Sequence, residues 1–159
     1  MSNFTHINAA GNPSMVDVGD KKITKRTAKA RAIILLSDEI LENLQNGDIQ
    51  TKKGSVFQTA IIAGVMGAKR TGDLIPLCHT LGLEKCDIHI FINDKKEVIV
   101  ECTASLTGKT GVEMEALTGV SIAALTIYDM CKSLSHNILI REIRLIEKTG
   151  GKQDFKDEV

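Results

Sequence analysis

The spacing of apolar and polar positions changes several times along this 159-residue chain. Residues 1–27 keep no regular period and carry Gly11, Asn12, Pro13 and Gly19, so they read as an extended or irregular arm. Within it, Met15-Val16-Asp17-Val18 is more apolar than a solvated tail. Residues 30–36, dense in isoleucine and leucine, predict a strand. Ser37 stands where it would cap a short helix over 38–45, closed by Asn46-Gly47. Ser55 would cap a second helix running through Val56, Ala60, Ala63, Gly64 and Gly67 to Lys69. Residues 86–92 and 97–102 predict a hairpin around Asn93-Asp94. Residues 112–133 predict the longest helix and 138–146 a last strand.

The predicted order is strand, helix, helix, strand, strand, helix, strand. This implies an α+β sandwich with helices on one face of a mainly antiparallel sheet. A ferredoxin-like arrangement is the expected form, as one domain over 28–159 preceded by the arm. The long helix is apolar nearly all round, with Met114, Leu117, Val120, Ile122, Leu125, Ile127 and Met130. The helix from Val56 has Ile61, Ile62, Val65 and Met66 in the same way. A helix on one sheet face keeps a polar outer side, and large apolar patches are rare on monomers. The chain is therefore expected to be a homo-oligomer in which these helices meet. The alternative is that the arm and the short helix cover them.

Composition narrows the function. The formal net charge is zero, which argues against a dedicated nucleic-acid binder but leaves room for a local cationic pocket. With no tryptophan and one tyrosine, a base sandwiched between aromatic rings is not expected. The start lacks a charged head and apolar run, and the apolar stretches read as shorter than a membrane span of ~20 residues. Cys78, Cys86, Cys102 and Cys131 form no Cys-x-x-Cys pair and read as reduced thiols of a cytoplasmic protein with no membrane partner.

Candidate chemistry gathers around 107–117, Thr-Gly-Lys-Thr-Gly-Val-Glu-Met-Glu-Ala-Leu, a glycine-hinged turn opening the long helix. Exposed amides and Lys109 suit an anion. Position 103 is threonine where a P-loop needs glycine, so the phosphate cradle is incomplete. Glu113 and Glu115 occupy the first turn, where carboxylates also favour the helix dipole by ~0.3–1 kcal/mol each. Asp129 and Lys132, three apart, share a face near the other end. They read as an acid/base pair or as an ordinary surface ion pair. At ~1.5 Å per residue the two ends stand roughly 25 Å apart, so they can serve one small-molecule site only across two protomers. Lys69 and Arg70 end the second helix and could hold phosphates or complement its dipole. His79 follows an apolar, proline-bearing run and suits proton transfer or phosphate contact. Cys78, His79, Cys86 and His89 lack the spacing of a zinc finger.

Seven segments together resemble one family over nearly the whole chain. They are Thr5-His6-Ile7-Asn8, Met15-Val16-Asp17-Val18, Lys53-Gly54-Ser55-Val56-Phe57, Ala68-Lys69-Arg70-Thr71, Leu74-Ile75-Pro76-Leu77-Cys78-His79, the run from Leu106 to Thr118, and the run from Leu125 to Lys132. They are similar to the MoaC family, cyclic pyranopterin monophosphate synthases of molybdenum cofactor biosynthesis. The resemblance implies a lyase that converts 3′,8-cyclo-7,8-dihydroguanosine triphosphate into cyclic pyranopterin monophosphate and releases pyrophosphate. It implies a ferredoxin-like subunit, a trimer of dimers, and sites at the dimer interface. Carried over by position, Asp129, Lys132 and Lys53 would be catalytic. Leu77, Cys78 and His79, with Glu113, Met114 and Glu115, would contact substrate. Arg26 and Asp17 in the arm fall at functional positions, and Arg26, His79, Lys69 and Arg70 are assigned to the triphosphate. No cofactor is required, although a divalent metal could accompany the triphosphate. Two positions depart from the family's pattern: Thr80 replaces a proline, and Gly72 replaces a tryptophan. The rival class is a nucleotide-binding module without catalysis.

Overall fold

A computed structural model describes residues 7, 8 and 10–157. Thr5 and His6, which begin the first resembling segment, lie outside the described residues. The main sheet is built on β1 (Thr24–Leu36), whose Ala28, Ala30, Ala32 and Ile34 alternate into the core. The strand begins at Thr24, so the end of the expected arm is already in the sheet. β6 (Val98–Gly108) and β7 (Ile138–Thr149) flank β1, both antiparallel to it. β5 (Lys85–Ile92) pairs with β6 at one edge, and β8 (Phe155–Lys156) pairs with β7 at the other. The order β5-β6-β1-β7-β8 is antiparallel throughout.

Two helices cover one face: α2 (Val56–Lys69), and the long helix, Glu113–Cys131, which is the last of four and is called α4. α4 buries Ala116, Val120, Ala123, Ala124 and Ile127 at helical spacing against the buried side of β1 and β6. Omitting the short pieces, the chain runs β1, α2, β5, β6, α4, β7. That order and the sheet order are consistent with a ferredoxin-like sandwich. Glycines let the helices approach. A Cβ at Gly64 would stand 2.8 Å from the Gly119 carbonyl, and one at Gly67 would stand 2.6 Å from Ile122. α4 is long and apolar enough, at 19 residues, to cross a membrane, contrary to the expectation from sequence. More than half of it is buried inside the fold, as a core helix requires.

The expected helix over 38–45 is mostly absent. Only α1 (Asp38–Leu41) forms, and the chain then turns into a small sheet of β2 (Leu44–Gln45), β3 (Asp48–Thr51) and β4 (Gly54–Ser55). Asn46 and Gly47 both take positive φ, 51° and 80°, which makes them a two-residue hairpin turn rather than a helix end. Ser55 precedes α2 as expected, but its side chain makes no capping bond. The buried Asp48 carboxylate does so instead, accepting the Phe57 N–H at 2.7 Å and the Gln58 N–H at 3.2 Å. α2 is thereby fastened to the β3–β4 hairpin, which carries Lys53 at its tip.

Candidate active site

Asp129 and Lys132 lie in the last turn of α4 and its cap, and i,i+3 spacing turns them to one side. The Lys132 ammonium is 2.7 Å from Asp129 Oδ1. Lys53 reaches the same carboxylate from the hairpin, with Nζ 3.1 Å from Oδ2 and 3.2 Å from the Asp129 carbonyl oxygen. The Lys53 turn is fixed locally: Thr51 Oγ1 accepts the Lys53 N–H at 3.1 Å and donates to the Gly54 carbonyl. All three side chains are about half exposed, so solvent screens their ion pairs and they contribute little to stability. Their effect is on proton affinity. The hydrogen bonds from Lys132 and Lys53 hold the Asp129 carboxyl below the usual carboxylate range. Asp129 in turn raises the Lys132 ammonium above the usual lysine range. The result is an ionised, solvent-facing Lys–Asp–Lys set that combines one proton acceptor with two donors.

The other end of α4 carries two adjoining cavities. The smaller, of ≈ 120 Å³, lies between the loop of Leu77, Cys78 and His79 and the helix start, where Met114 and Glu115 line it. Glu115 is 3% exposed, and burial first, then the charge of Glu113, raise its carboxyl above the usual range. Burial and Glu115 likewise push the Cys78 thiol up. Thr110 lines this cavity, and its Oγ1 is buried without a hydrogen-bond partner. Such an unmet donor at a cavity wall is suited to a polar ligand. Gly72 and Thr80 approach each other beside the His79 loop: a Cβ at Gly72 would stand 3.0 Å from Thr80. The Thr80 backbone thus closes on the space that a larger side chain at 72 would need.

The larger cavity, of ≈ 570 Å³, shares Gly111 and Glu113 with the smaller one. Lys21, Lys22, Arg26, Lys109, Lys148 and Lys152 line it, against only two carboxylates, Asp20 and Glu113. A chain of zero net charge therefore concentrates positive charge at one place. Lys148 sits 3.0 Å from Glu113. Arg26 directs its guanidinium at the Gly108 and Lys109 carbonyls, 3.4 Å away, and so braces the turn that opens α4. Gly150 is required at the rim: its φ is +82°, and a Cβ there would meet the Lys25 carbonyl oxygen at 1.9 Å.

Of the residues expected from sequence, Asp129, Lys132 and Lys53 converge, and Leu77, Cys78, His79, Glu113, Met114 and Glu115 line the small cavity. Arg26 faces the large one. Asp17 shapes the arm by accepting the Gly19 N–H at 2.8 Å. Lys69 and Arg70 are exposed at the end of α2 and line neither cavity. Lys21, Lys22, Lys148 and Lys152 were not expected. Their only sequence signal is basic character scattered between the arm and the Gly-Gly-Lys at 150–152. Asp129 and Glu113 are sixteen positions apart on one helix, roughly 24 Å, so the two groups do not meet within one chain. Among the described residues no three His, Cys, Asp or Glu side chains converge as metal ligands.

Comparison with known proteins gives a consistent picture. A model of the MoaC family matches residues 15–151. Over 155 residues the chain is 52% identical to a cyclic pyranopterin monophosphate synthase of Lysinibacillus sphaericus (strain C3-41), covering 96% of each. It is 49% identical to molybdenum cofactor biosynthesis protein 1 of Dictyostelium discoideum, over 94% of this chain and 26% of that longer protein.

Proposed function

The chain belongs to the MoaC family, and from that premise we propose that it is a lyase converting (8S)-3′,8-cyclo-7,8-dihydroguanosine 5′-triphosphate into cyclic pyranopterin monophosphate, with release of pyrophosphate, in molybdenum cofactor biosynthesis. The observation that carries this reading is the meeting of Lys53 and Lys132 on the Asp129 carboxylate. A module that only bound nucleotide would need the cationic cavity but not this acid/base set.

The triphosphate occupies the large cavity, where Lys21, Arg26 and Lys148 offer charge-assisted hydrogen bonds. The guanine-derived ring enters the small cavity, facing His79, Thr110 and Glu115. Burial keeps a proton on the Glu115 carboxyl to higher pH than usual, so it can donate to a ring nitrogen or carbonyl oxygen. Rearranging the purine calls for water addition and several proton transfers. Closing the cyclic phosphate forms a new P–O bond at the α-phosphorus and breaks the bond to the β-phosphate oxygen, and pyrophosphate leaves. Lys132, held protonated by Asp129, enters as an acid, and Asp129 orients both lysines. These groups come from a second protomer of a homo-oligomer, a trimer of dimers. The apolar outer face of the helix pair, with Ile62, Met66 and Leu125 at least half exposed, supports that assembly. Described parts of the arm leave those side chains uncovered. A cytoplasmic location is part of the same proposal, supported by four cysteines carried as free thiols. The reading assigns no cofactor.

The test is incubation with the cyclic triphosphate, followed by assay of pyrophosphate and of the fluorescent pterin formed on oxidation. Wild type should release both products. Lys53→Ala, Asp129→Ala and Lys132→Ala should each lose at least ~10²-fold in turnover with the fold intact. Full turnover in all three variants would reject the site, and tight binding without pyrophosphate release would favour the non-catalytic module.

A further inference from the structure

Among the described residues, the part of the arm before β1, 7–23, is held to the body of the protein at one polar point. Lys109, in the turn that opens α4, donates its ammonium to the Gly19 carbonyl. Among the described residues, no other hydrogen bond or ion pair joins 7–23 to the rest of the chain. The remaining bonds of this segment are internal, such as Gly19 N–H on the Asp17 carboxylate and Lys21 N–H on the Val18 carbonyl. Of its apolar side chains, Ile7, Met15 and Ile23 are at least half exposed, and only Val16 and Val18 are partly buried. The next fixed point is Thr24, whose Oγ1 donates to the Gly150 carbonyl at 2.7 Å. Residues 20–23 are thus suspended between a clamp at Gly19 and an anchor at Thr24, and this span carries Lys21 and Lys22 along the wall of the cationic cavity.

We infer that Lys109 is a positioning residue that clasps the arm at Gly19 so that Lys21 and Lys22 are presented to a polyphosphate. The inference rests on reading the large cavity as the polyphosphate site. The clasp acts through geometry: without it the turns at 17–21 persist, but the two lysines sample positions away from the cavity. An ammonium has three donors, so Lys109 could also touch phosphate directly, and the experiment separates the two roles.

The full-length protein is titrated with inorganic tripolyphosphate by calorimetry, and tryptic cleavage after Lys21 and Lys22 is followed by mass spectrometry on the ligand-free protein. Lys109→Met keeps the aliphatic stem and removes the donor. It should weaken tripolyphosphate by about tenfold, the worth of one charged hydrogen bond from the displaced Lys21 or Lys22, and speed cleavage of the arm. Lys109→Arg should restore both properties. In turnover, Lys109→Met should raise KM and leave kcat nearly unchanged. In a Lys21→Ala/Lys22→Ala background, Lys109→Met should cost almost nothing more, because the groups it positions are gone. Unchanged cleavage in Lys109→Met, or a full additional loss in that background, overturns the clasp. Wild-type protein that fails to bind tripolyphosphate overturns the cavity reading instead, while the cleavage rates still report on the tether.

Discussion

At the scale of single residues, Asp129 sets the chemistry of the Lys–Asp–Lys set. Its charge favours the protonated form of Lys132, so removing it should ease deprotonation. Asp129→Asn is therefore expected to move the Lys132 titration to lower pH, read by NMR of a labelled lysine side chain. A titration that stays in place would mean that the pair is not coupled in solution. Glu115 shows the opposite sign. Its folded carboxyl is raised by burial and by Glu113, so the folded state holds the proton at pH values where the unfolded chain has lost it. The resulting destabilisation is absent below the ordinary carboxylate range, grows as pH climbs through it, and is complete above the raised folded value. Glu115→Gln should thus raise the thermal midpoint at neutral pH and leave it nearly unchanged in acid. An equal shift at both pH values would show that charge is not the cause. Both carboxylates were legible in the sequence as members of a helix, but their environments were not. Spacing put Asp129 beside Lys132, while Lys53 is 76 positions from Asp129 and meets it only through the fold.

At the scale of elements, the small β3–β4 hairpin determines where Lys53 stands. Asp48 joins that hairpin to α2 by capping its first amides. Asp48→Ala should cost about 1 kcal/mol of stability, as measured cap losses do, and should reduce turnover by displacing Lys53. Denaturant unfolding and the pyrophosphate assay check the two parts, and a stable variant with full turnover would contradict the linkage. This element was misread from sequence. Ser37 followed by acidic residues starts a helix, and Asn46-Gly47 can end one or turn a hairpin. The choice between them is made by pairing with β3 and by the burial of Ile49, which local periodicity does not encode. The long strands were legible in part from their β-branched runs, and both long helices from the length of their apolar stretches, although β1 begins six residues earlier than the run at 30–36. The cationic cavity was not, because its lysines come from the arm, the Lys109 turn and the far end of β7.

At the scale of the whole molecule, α4 is a rigid spacer with an acid/base set at one end and two ligand-sized cavities at the other. The helix is unbroken from Glu113 to Cys131, so under the proposed function one protomer would hold two half-sites. The apolar outer face of the helix pair gives an assembly something to bury, and a two-fold axis would bring unlike ends together twice. Complementation between protomers tests this directly. Asp129→Ala and Glu113→Ala proteins, each inactive alone, are unfolded together, refolded and verified as mixed oligomers by native mass spectrometry. One of the two sites in each mixed dimer then carries neither lesion. The account predicts recovery of about one quarter of wild-type pyrophosphate release for random pairing. No recovery in verified mixed oligomers would contradict it.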